Sequence, residues 1–373
     1  MKFLLIYVPN LRFTNNQLKD FKIVDICKLK QGNQYDLKQQ FTEEKSDLKR
    51  FIRIIDYTQK TNDIRYVYSN GSENYVDCTD VVVVRYGASA GYVGRGINGI
   101  IANNLFTIRP INSALLNKSY LYHYLNAPVI QKQLNNTQSS GMPALNFQTI
   151  NNLHILLPEY QEQRQIAVFL DKIDERIQTQ IKIIDDYNSL KMGIYNCMFK
   201  ENYADYKLKQ LAYIVKGDQI NNDQLLSNGS YYMMNGGASP SGYLDSYNVS
   251  ENTISISEGG NSCGYVQFNS SPFWSGGHCY TIQNVNSALI ENKYLYHYLK
   301  YKEKEIMNLR IGTGLPNIQK KDLENFTILV PSLLIQRKNL ALFEMLDEKI
   351  SILNEELANL QKQKKYLLCN MFI

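Results

Sequence analysis

The sequence has few of the residues that build metal centres and disulfide frameworks. Six cysteines and four histidines occur in 373 residues, and no two cysteines form a C-x-x-C pair. Neither a zinc site nor a set of disulfides is therefore predicted. We expect free thiols and no metal bound by this chain.

Long apolar segments are also missing. No run approaches the roughly 18 consecutive apolar residues that a membrane span requires. The apolar start of the chain, residues 1–8, stops at Pro9 without a small-residue cleavage site after it, which predicts an N-terminal strand rather than a signal peptide. We expect a cytoplasmic protein with no membrane association.

The sequence lacks the usual catalytic motifs as well. It contains no G-x-x-x-x-G-K-[ST] loop, no H-E-x-x-H and no [ND]-P-P-[YF] tetrapeptide. Gly91, Gly94 and Gly96 have the wrong order for a dinucleotide-binding loop. Cys279 follows His278, but no third member of a nucleophilic triad can be named. We therefore predict that the chain is not itself an enzyme.

The charge of the chain is distributed unevenly. The net charge is +5, but residues 1–157 carry 18 Lys and Arg against 11 Asp and Glu, a balance of +7. The balance is −1 in residues 158–200 (6 against 7), −2 in residues 201–330 (10 against 12) and +1 in residues 331–373 (6 against 5). The first segment could attract a polyanion by its overall charge, whereas the third would have to cluster its basic side chains.

One long segment occurs twice. Leu157–Phe199 is repeated as Val330–Phe372, and we call the step from Leu157 to Val330 the repeat offset. In each copy mostly apolar residues recur at intervals of three and four, the pattern of a coiled-coil seam. We call these positions the heptad seam: Leu170, Ile173, Ile177, Gln180, Ile184, Tyr187, Lys191 and Ile194 in the first copy, and Phe343, Leu346, Ile350, Leu353, Leu357, Leu360, Lys364 and Leu367 in the second.

Neither predicted helix can bury its apolar seam alone, so the two are expected to pair with each other. Antiparallel pairing is favoured, because the intervening segment then has only to join neighbouring helix ends. At 1.5 Å per residue the seam from Leu170 to Ile194 is roughly 37 Å long, close to the roughly 34–36 Å of one DNA turn. Lys191 and Lys364 are expected to extend along the surface, or to mark where the pair frays or another helix joins.

The segments before the long helices also repeat each other. Residues 80–85 and 253–257 are predicted to be buried strands, each followed by a glycine-rich loop. Ser113–Leu134 is predicted to be one helix capped by Ser113, followed by a turn at residues 140–143 and a strand at Leu153–Leu157. Its Tyr-Leu-Tyr-His-Tyr-Leu sequence returns at residues 294–299, whereas residues 11–78 and 203–250 share almost nothing. This pattern indicates one duplicated scaffold that carries two different surfaces.

These features predict an α+β protein with an internal pseudo-two-fold repeat. Two strand-rich α/β globules, residues 1–157 and 201–330, are separated by two long antiparallel helices that form a coiled coil, residues 158–200 and 331–373.

The first glycine-rich loop is the strongest candidate for a nucleic-acid contact. Backbone N–H groups of such a loop can hold phosphate, and arginine and tyrosine side chains suit phosphate contact and the reading of base edges. An ordinary tight turn with solvated arginines fits the pattern equally well. The candidate DNA contacts are Arg50, Arg53, Arg85, Tyr86, Ser89, Tyr92 and Arg95 in the first globule, and Ser257, Asn261, Ser262, Tyr265, Lys320 and Lys321 in the second.

Two of the four histidines, His123 and His297, occupy equivalent positions in the repeated helix. A functional pair and a packing role both fit this placement, and the packing role is favoured.

The chain resembles the DNA-specificity subunit of type I restriction-modification systems. The resemblance rests on Leu157–Ile166, of sequence LPEYQEQRQI, followed by the L-D-x-x-D of residues 170–174. This stretch is similar to the P-L-x-E-Q-x-x-I…L-D start of that family's central helix. The second copy, Pro331–Arg337, lacks the Glu before Gln336. The resemblance also covers the segments around Gly141 and Gly314 and, in arrangement, the whole chain.

The resemblance implies two target-recognition domains that each read one half of a bipartite site in double-stranded DNA. The long helices would act as a spacer and dock two methyltransferase subunits, with restriction subunits in the full complex. S-adenosylmethionine, ATP and Mg²⁺ are then expected on these partner subunits, and no cofactor is expected on this chain.

Two other functions compete with this one. The recognition part of a fused methyltransferase-nuclease would need catalytic motifs, and the sequence has none. A coiled-coil adaptor with two protein- or carbohydrate-binding globules would show no affinity for DNA and no dependence on salt.

Overall fold

The computed structural model describes residues 18–59, 61–135, 143–199, 203–312, 314 and 316–372. The strand predicted at residues 1–8 and most of the turn at residues 140–143 lie outside these ranges. The chain divides into unit 1, Met1–Ile181 with Glu355–Ile373, and unit 2, Lys182–Asn354. The linear domain boundaries derived from the sequence stay a prediction.

Unit 1 contains an α/β globule followed by the first half of a long helix. Its described strands are β1 (Lys19–Lys22), β2 (Cys27–Gln31), β3 (Leu48–Ile52), β4 (Arg65–Tyr68), β5 (Tyr75–Val76), β6 (Val81–Val84), β7 (Val93–Gly94), β8 (Gly99–Ile101), β9 (Leu105–Pro110) and β10 (His154–Leu157). Its described helices are α1 (Ile23–Ile26), α2 (Ile54–Thr58), α3 (Lys118–Leu125), α4 (Pro128–Asn135), α5 (Phe147–Asn151) and the start of α6 (Tyr160–Met198).

The strands of unit 1 form two four-stranded sheets and one pair. The first sheet has the order β2-β9-β6-β7 and is antiparallel throughout. The second has the order β4-β3-β8-β5, in which β3 and β8 run parallel, and β1 pairs with β10. The four valines of β6 are all buried. This confirms the strand predicted from the β-branched run.

Unit 2 contains the end of α6, a second α/β globule and the first half of another long helix. Its described strands are β11 (Ala204–Lys207), β12 (Tyr213–Lys216), β13 (Tyr231–Met234), β14 (Gly242–Leu244), β15 (Thr253–Ser257), β16 (Val266–Asn269), β17 (Trp274–Ser275), β18 (Cys279–Gln283) and β19 (Thr327–Val330). Its described helices are α7 (Leu208–Leu211), α8 (Asn292–Tyr301), α9 (Glu303–Met307), α10 (Lys320–Glu324) and α11 (Leu333–Met371), and the part of α11 from Glu355 onward belongs to unit 1.

The sheets of unit 2 repeat those of unit 1. The order β12-β18-β15-β16 matches β2-β9-β6-β7, and β11 pairs with β19 as β1 pairs with β10. The order β14-β13-β17 matches β4-β3-β8, with one antiparallel and one parallel contact in both units. The structural repeat therefore extends into segments whose sequences have diverged.

One predicted element was wrong. The single helix predicted at Ser113–Leu134 is two helices, α3 and α4, and Ser113 does not cap it. The side chain of Asn117 accepts hydrogen bonds from the backbone N–H groups of Ser119 and Tyr120, each at 3.0 Å. Pro128 begins α4, because proline has no N–H group for a helix interior.

The long helices pack antiparallel within each unit. In unit 1 the side-chain amide of Gln180 donates to Glu356 at 3.0 Å. Asp174, which precedes Gln180 on α6, pairs with Lys364, which follows Glu356 on α11. In unit 2 the same arrangement brings Lys191 to Asp347. All sixteen seam positions are buried or half-buried. The predicted seam and the antiparallel pairing are therefore confirmed inside each unit.

The two seam lysines form matching ion pairs rather than extending along the surface as expected. Lys191 pairs with Asp347 and Lys364 with Asp174, and the lysine side chains are 14% and 21% exposed. Both the lysines and the aspartates are related by the repeat offset. One ion pair therefore fixes the helix register at equivalent places in both units.

Candidate nucleic-acid interface

The two glycine-rich loops have the same backbone. Gly87 and Gly91 have φ angles of 88° and 89°, in the left-handed region that favours glycine. Their N–H groups donate at 2.9 Å to the carbonyls of Pro143 and Val84. In unit 2, Gly260 and Gly264 repeat these angles and bonds with Pro316 and Ser257. These four N–H groups bond within the protein, which supports a tight turn rather than a phosphate cradle.

Arg85 is held in one orientation at the start of the first loop. Its Nη1 donates to Oε1 of Gln31 at 2.8 Å. The guanidinium lies 4.5 Å from the ring centroid of Phe147 and 4.8 Å from that of Tyr86. Both Arg85 and Tyr86 are half-buried. A side chain already restrained in this way loses less conformational entropy when it binds a ligand.

Arg95 lies at the other end of this loop and contacts helices α3 and α6. Its Nη1 donates to the hydroxyl of Ser119 at 2.7 Å, and its Nη2 pairs with Asp171. The guanidinium also lies 3.9 Å from the ring centroid of Tyr122. The structure thus gives Arg95 a role in holding the globule to the helix, and a contact with DNA would have to break these bonds.

Arg50 and Arg53 share a buried carboxylate. The side chain of Asp56 is 1% exposed and lies 3.4 Å from Nη2 of Arg50 and 3.3 Å from Nε of Arg53. Arg53 also pairs with Asp63 at 3.0 Å and is 18% exposed. Hydrogen bonds from Arg65 and Arg53 lower the pKa of Asp63. Arg50 is 34% exposed, which makes it the more accessible of the two arginines.

The remaining candidates in the loops differ in accessibility. Tyr92 is 42% exposed and Asn261 is exposed, whereas Ser89 and Ser262 are half-buried. Tyr92 and Asn261 are thus the loop candidates most open to a ligand.

Ser257 and Tyr265 make contacts inside unit 2. The hydroxyl of Ser257 is buried and donates to the carbonyl of Gly236 at 2.8 Å. The ammonium group of Lys300 lies 4.1 Å from the ring centroid of Tyr265. Both candidates therefore contribute to the packing of the second loop.

Lys320 and Lys321 begin the short helix α10 and are exposed. Lys320 lies 3.7 Å from Glu324, one turn further along the helix. A surface pair of this length is worth little in free energy. Both ammonium groups are therefore accessible to a phosphate.

The sequence reading missed Glu258, which occupies the position of Arg85 in the second loop. The backbone N–H groups of both residues donate to equivalent carbonyls, of Asn104 and His278. In unit 2 Lys216 donates to Oε1 of Glu258 at 2.6 Å. In unit 1 the corresponding bond runs the other way, because Arg85 donates to Gln31. The two units thus place side chains of opposite charge at one structural position, and Glu258 is buried there and paired with Lys216. The repeat offset, applied to Arg85, could have revealed this pair.

The equivalent histidines are buried, which supports the packing role. Nε2 of His123 lies 2.8 Å from Oδ1 of Asp171, and Nδ1 of His297 lies 2.8 Å from the hydroxyl of Tyr195. Burial lowers the pKa of His297 to about 3, and the pKa of His123 is also lowered, chiefly by burial.

This burial predicts that unit 2 loses stability in mild acid. His297 stays neutral in the folded protein down to about pH 3, whereas its unfolded pKa of 6.5 allows it to bind a proton below that pH. The free energy of unfolding should therefore fall by about 2 kcal/mol between pH 6.5 and 5. Denaturant unfolding at several pH values should show that the free energy of unfolding falls less steeply with decreasing pH in the His297→Gln protein than in the wild type. The matched control is His278→Gln, which removes an exposed imidazole from the same unit.

The described residues hold no cluster of three or more His, Cys, Asp or Glu side chains placed to bind a metal. In the same ranges no helix is both long and apolar enough to cross a membrane.

The geometry defines a duplicated α+β protein whose two units share one topology and differ in their polar side chains. A family model described as the type I restriction modification DNA specificity domain matches the chain twice, over residues 15–185 and 200–362. These two matches cover most of the chain, so it belongs to the family of type I restriction-modification DNA specificity proteins. The predicted family and fold class are confirmed.

Individual relatives agree with this family. A putative type I specificity subunit of Mycoplasma pneumoniae, S.MpnORF638P, is 34% identical over 155 residues, 41% of this chain and 41% of that protein. A subunit of Mycoplasma genitalium, S.MgeORF438P, is 32% identical over 34% of this chain and 33% of that protein. The alignments thus span less than half of these relatives. The putative MjaX specificity subunit of Methanocaldococcus jannaschii is 26% identical over 94% of this chain and 83% of that protein.

Two solved structures show the same fold. The type I S subunit from M. genitalium has a TM-score of 0.66 at 20% identity and covers 97% of this chain and 98% of its own. The second is a chain from a structure that describes complex assembly and conformational transition of the type I R-M system. It has a TM-score of 0.53 at 16% identity and covers 94% of this chain and 96% of its own.

Proposed function

We propose that this chain is the DNA-recognition subunit of a type I restriction-modification complex and reads a bipartite target with its two units. The observation that carries the proposal is one backbone scaffold with two different sets of polar side chains. Arg85 in unit 1 and Glu258 in unit 2 occupy one position of the loop. Arginine donates to acceptors on guanine, whereas Glu258 is buried and its Oε1 accepts from Lys216 and from the hydroxyl of Tyr280. Two scaffolds with such different groups are suited to two unlike half-sites.

The distribution of charge supports a DNA partner for unit 1 in particular. Residues 1–157 carry a balance of +7, and residues 201–330 a balance of −2. In unit 2 the exposed Lys320 and Lys321 offer a local basic pair. Phosphate contacts supply much of the affinity of DNA-binding proteins, and bases supply the specificity.

The long helices are proposed to set the spacing of the half-sites and to dock two methyltransferase subunits, to which restriction subunits add. Apolar side chains exposed along α6 and α11 support the docking role, because exposed apolar groups on a folded protein mark interaction surfaces. In unit 1 these include Val168 (52%), Phe169 (40%) and Tyr366 (53%), and in unit 2 Leu190 (53%), Met192 (45%), Leu334 (81%), Met345 (58%) and Ile352 (45%). Methyl transfer from S-adenosylmethionine and ATP- and Mg²⁺-dependent cleavage are proposed to belong to the partners.

The proposal predicts binding that depends on both sequence and salt. Purified with its methyltransferase partner, the chain should protect a split DNA sequence with two unlike halves. If the chain neutralises even a few phosphates when it binds, raising the salt concentration from 50 to 200 mM should lower its affinity for DNA by at least roughly tenfold. Footprinting and fluorescence anisotropy would measure these two properties.

The control for this experiment is a scrambled duplex of the same length and base composition, which should bind more weakly and leave no footprint. A salt response that is flat, or equal affinity for the scrambled duplex, would contradict the proposal. An absence of DNA binding together with a flat salt response would favour the adaptor with globules that bind protein or carbohydrate, whereas equal affinity for the scrambled duplex would indicate non-specific DNA binding.

A further inference from the structure

A cleft in unit 2 combines an aromatic wall with three carboxylates. It has a volume of about 440 Å³, and its lining includes Phe268, Tyr296, Glu344, Asp347 and Glu348. We call it the acidic cleft. A cleft with these walls is suited to a flat cation, which can stack on an aromatic ring and pair with carboxylates.

The repeat identifies what fills the same place in unit 1. Val83 pairs with Val93 in unit 1 as Ile256 pairs with Val266 in unit 2. The residue two positions beyond the second partner is Arg95 in unit 1 and Phe268 in unit 2. By the same repeat offset, the carboxylates Asp171, Asp174 and Glu175 correspond to Glu344, Asp347 and Glu348.

In unit 1 the guanidinium of Arg95 occupies this place. It lies 3.9 Å from the ring centroid of Tyr122, the counterpart of Tyr296. It pairs with Asp171 and lies 3.8 Å from Asp174. Hydrogen bonds and this cation hold the pKa of Asp171 well below its usual range despite partial burial. Unit 1 thus shows which group these walls accept.

Unit 2 lacks two cations that unit 1 places here, Arg95 and Lys172. Phe268 replaces Arg95, and its ring lies 5.4 Å from that of Tyr296. In unit 1 Lys172 pairs with Glu175 at 2.6 Å, whereas Met345 holds the position of that lysine in unit 2. Glu348, the counterpart of Glu175, makes no ion pair with a described residue of unit 2.

Two cations of unit 2 face the cleft and do not balance its carboxylates: Lys191, the counterpart of Lys364, and Lys293, which stands where unit 1 has Ser119. Lys293 pairs with Glu344 at 2.5 Å, and Lys191 pairs with Oδ1 of Asp347. Oδ2 of Asp347 lies 3.9 Å from Nδ1 of His297, which is neutral near pH 7 because burial lowers its pKa to about 3. Three carboxylates therefore face two ammonium groups, and the cleft keeps a net charge of −1.

We propose that the acidic cleft binds a guanidinium group, stacked on the aromatic wall of Phe268 and Tyr296 and paired with Glu348 and the free oxygen of Asp347. The group is either a free arginine-like cation or an arginine side chain of another protein chain. This site does not depend on the proposed reading of DNA, since it uses neither of the glycine-rich loops.

Saturation-transfer NMR of the full chain with methylguanidinium, agmatine and the blocked peptide Gly-Arg-Gly tests the site. We expect saturable binding with a dissociation constant on the order of 1 mM or tighter. Phe268→Arg should fill the cleft from within, as Arg95 does in unit 1, and weaken binding at least roughly tenfold. Phe268→Leu is the matched control for the added charge: it removes one of the two stacking rings without adding a cation, and should weaken binding less than Phe268→Arg does. Glu348→Gln should weaken binding several-fold.

The circular-dichroism spectrum and melting temperature of each variant establish that it folds. If the peptide binds at least roughly tenfold tighter than agmatine, the guanidinium comes from a protein partner, and equal affinities assign it to a free cation. The proposal is overturned if wild type shows no saturable signal up to about 10 mM, a range that covers weak sites. It is also overturned if folded Phe268→Arg binds as wild type does, or if tetramethylammonium competes as well as methylguanidinium.

Discussion

Removing one heptad from each long helix, residues 179–185 together with residues 352–358, is expected to change the spacing of the DNA target while leaving both half-sites as they are. The two segments are related by the repeat offset, and each contains two seam positions. The double deletion therefore keeps the seam in phase and shortens each helix by roughly 10 Å. That length corresponds to about three base pairs of DNA. Methylation mapping should find the same two half-sites with a shorter gap, or no methylation where the partners no longer fit.

The single deletion of residues 179–185 is the matched control. It should abolish methylation, because seven residues are lost from only one side of the antiparallel pair. If the double deletion changed the half-sites and left the gap unaltered, the spacer role of the helices would be wrong. The reading of DNA by the two units could still be correct in that case.

Replacing Gln163 by Ala is expected to destabilise unit 1 strongly. Its side-chain amide donates to the carbonyls of Leu115 and Pro158, and its Oε1 accepts from the backbone N–H of Asn117, all at 3.0 Å. The side chain is 1% exposed. Truncation leaves two carbonyls and one N–H group without partners, which costs roughly 3 kcal/mol or more. Denaturant unfolding should show this loss.

Gln165→Ala is the matched control, because Gln165 is exposed on the same helix. It should change the free energy of unfolding by less than about 0.5 kcal/mol. Gln336 makes the same three bonds in unit 2, to Leu289, Pro331 and Glu291 at 2.8 Å each. Gln336→Ala should therefore destabilise unit 2 as Gln163→Ala destabilises unit 1. Equal stability of the Gln163→Ala and Gln165→Ala proteins would show that these bonds contribute little.

The second copy of the family motif is thus better preserved than its letters indicate. The Glu that precedes Gln163 has no counterpart before Gln336, where Ile335 stands. The glutamine carries the three hydrogen bonds in both units, so the missing Glu does not remove them. The asymmetry of the chain lies instead in the globules, at Arg85 against Glu258 and at Arg95 against Phe268.

Elements with a strong local pattern were predicted correctly. The β6 valines, the β15 strand and both long helices follow from periodicity and residue type, which depend on neighbours in the sequence. The helix at Ser113–Leu134 was wrong because its apolar pattern continues across Pro128, which interrupts the backbone hydrogen bonds. The match between β14-β13-β17 and β4-β3-β8 could not be predicted from the sequence, since strand pairing can persist when the side chains are replaced.

The sequence by itself determined the duplication and the heptad seam, and it favoured the antiparallel pairing of the two long helices. Only the tertiary structure decided the roles of the charged side chains. Arg95 was a candidate DNA contact from its place in a loop, yet it pairs with Asp171, 76 positions further along the chain. Lys191 pairs with Asp347 across 156 positions. Local patterns carry no record of such distant partners, because the partners meet only when the sheets and helices have packed.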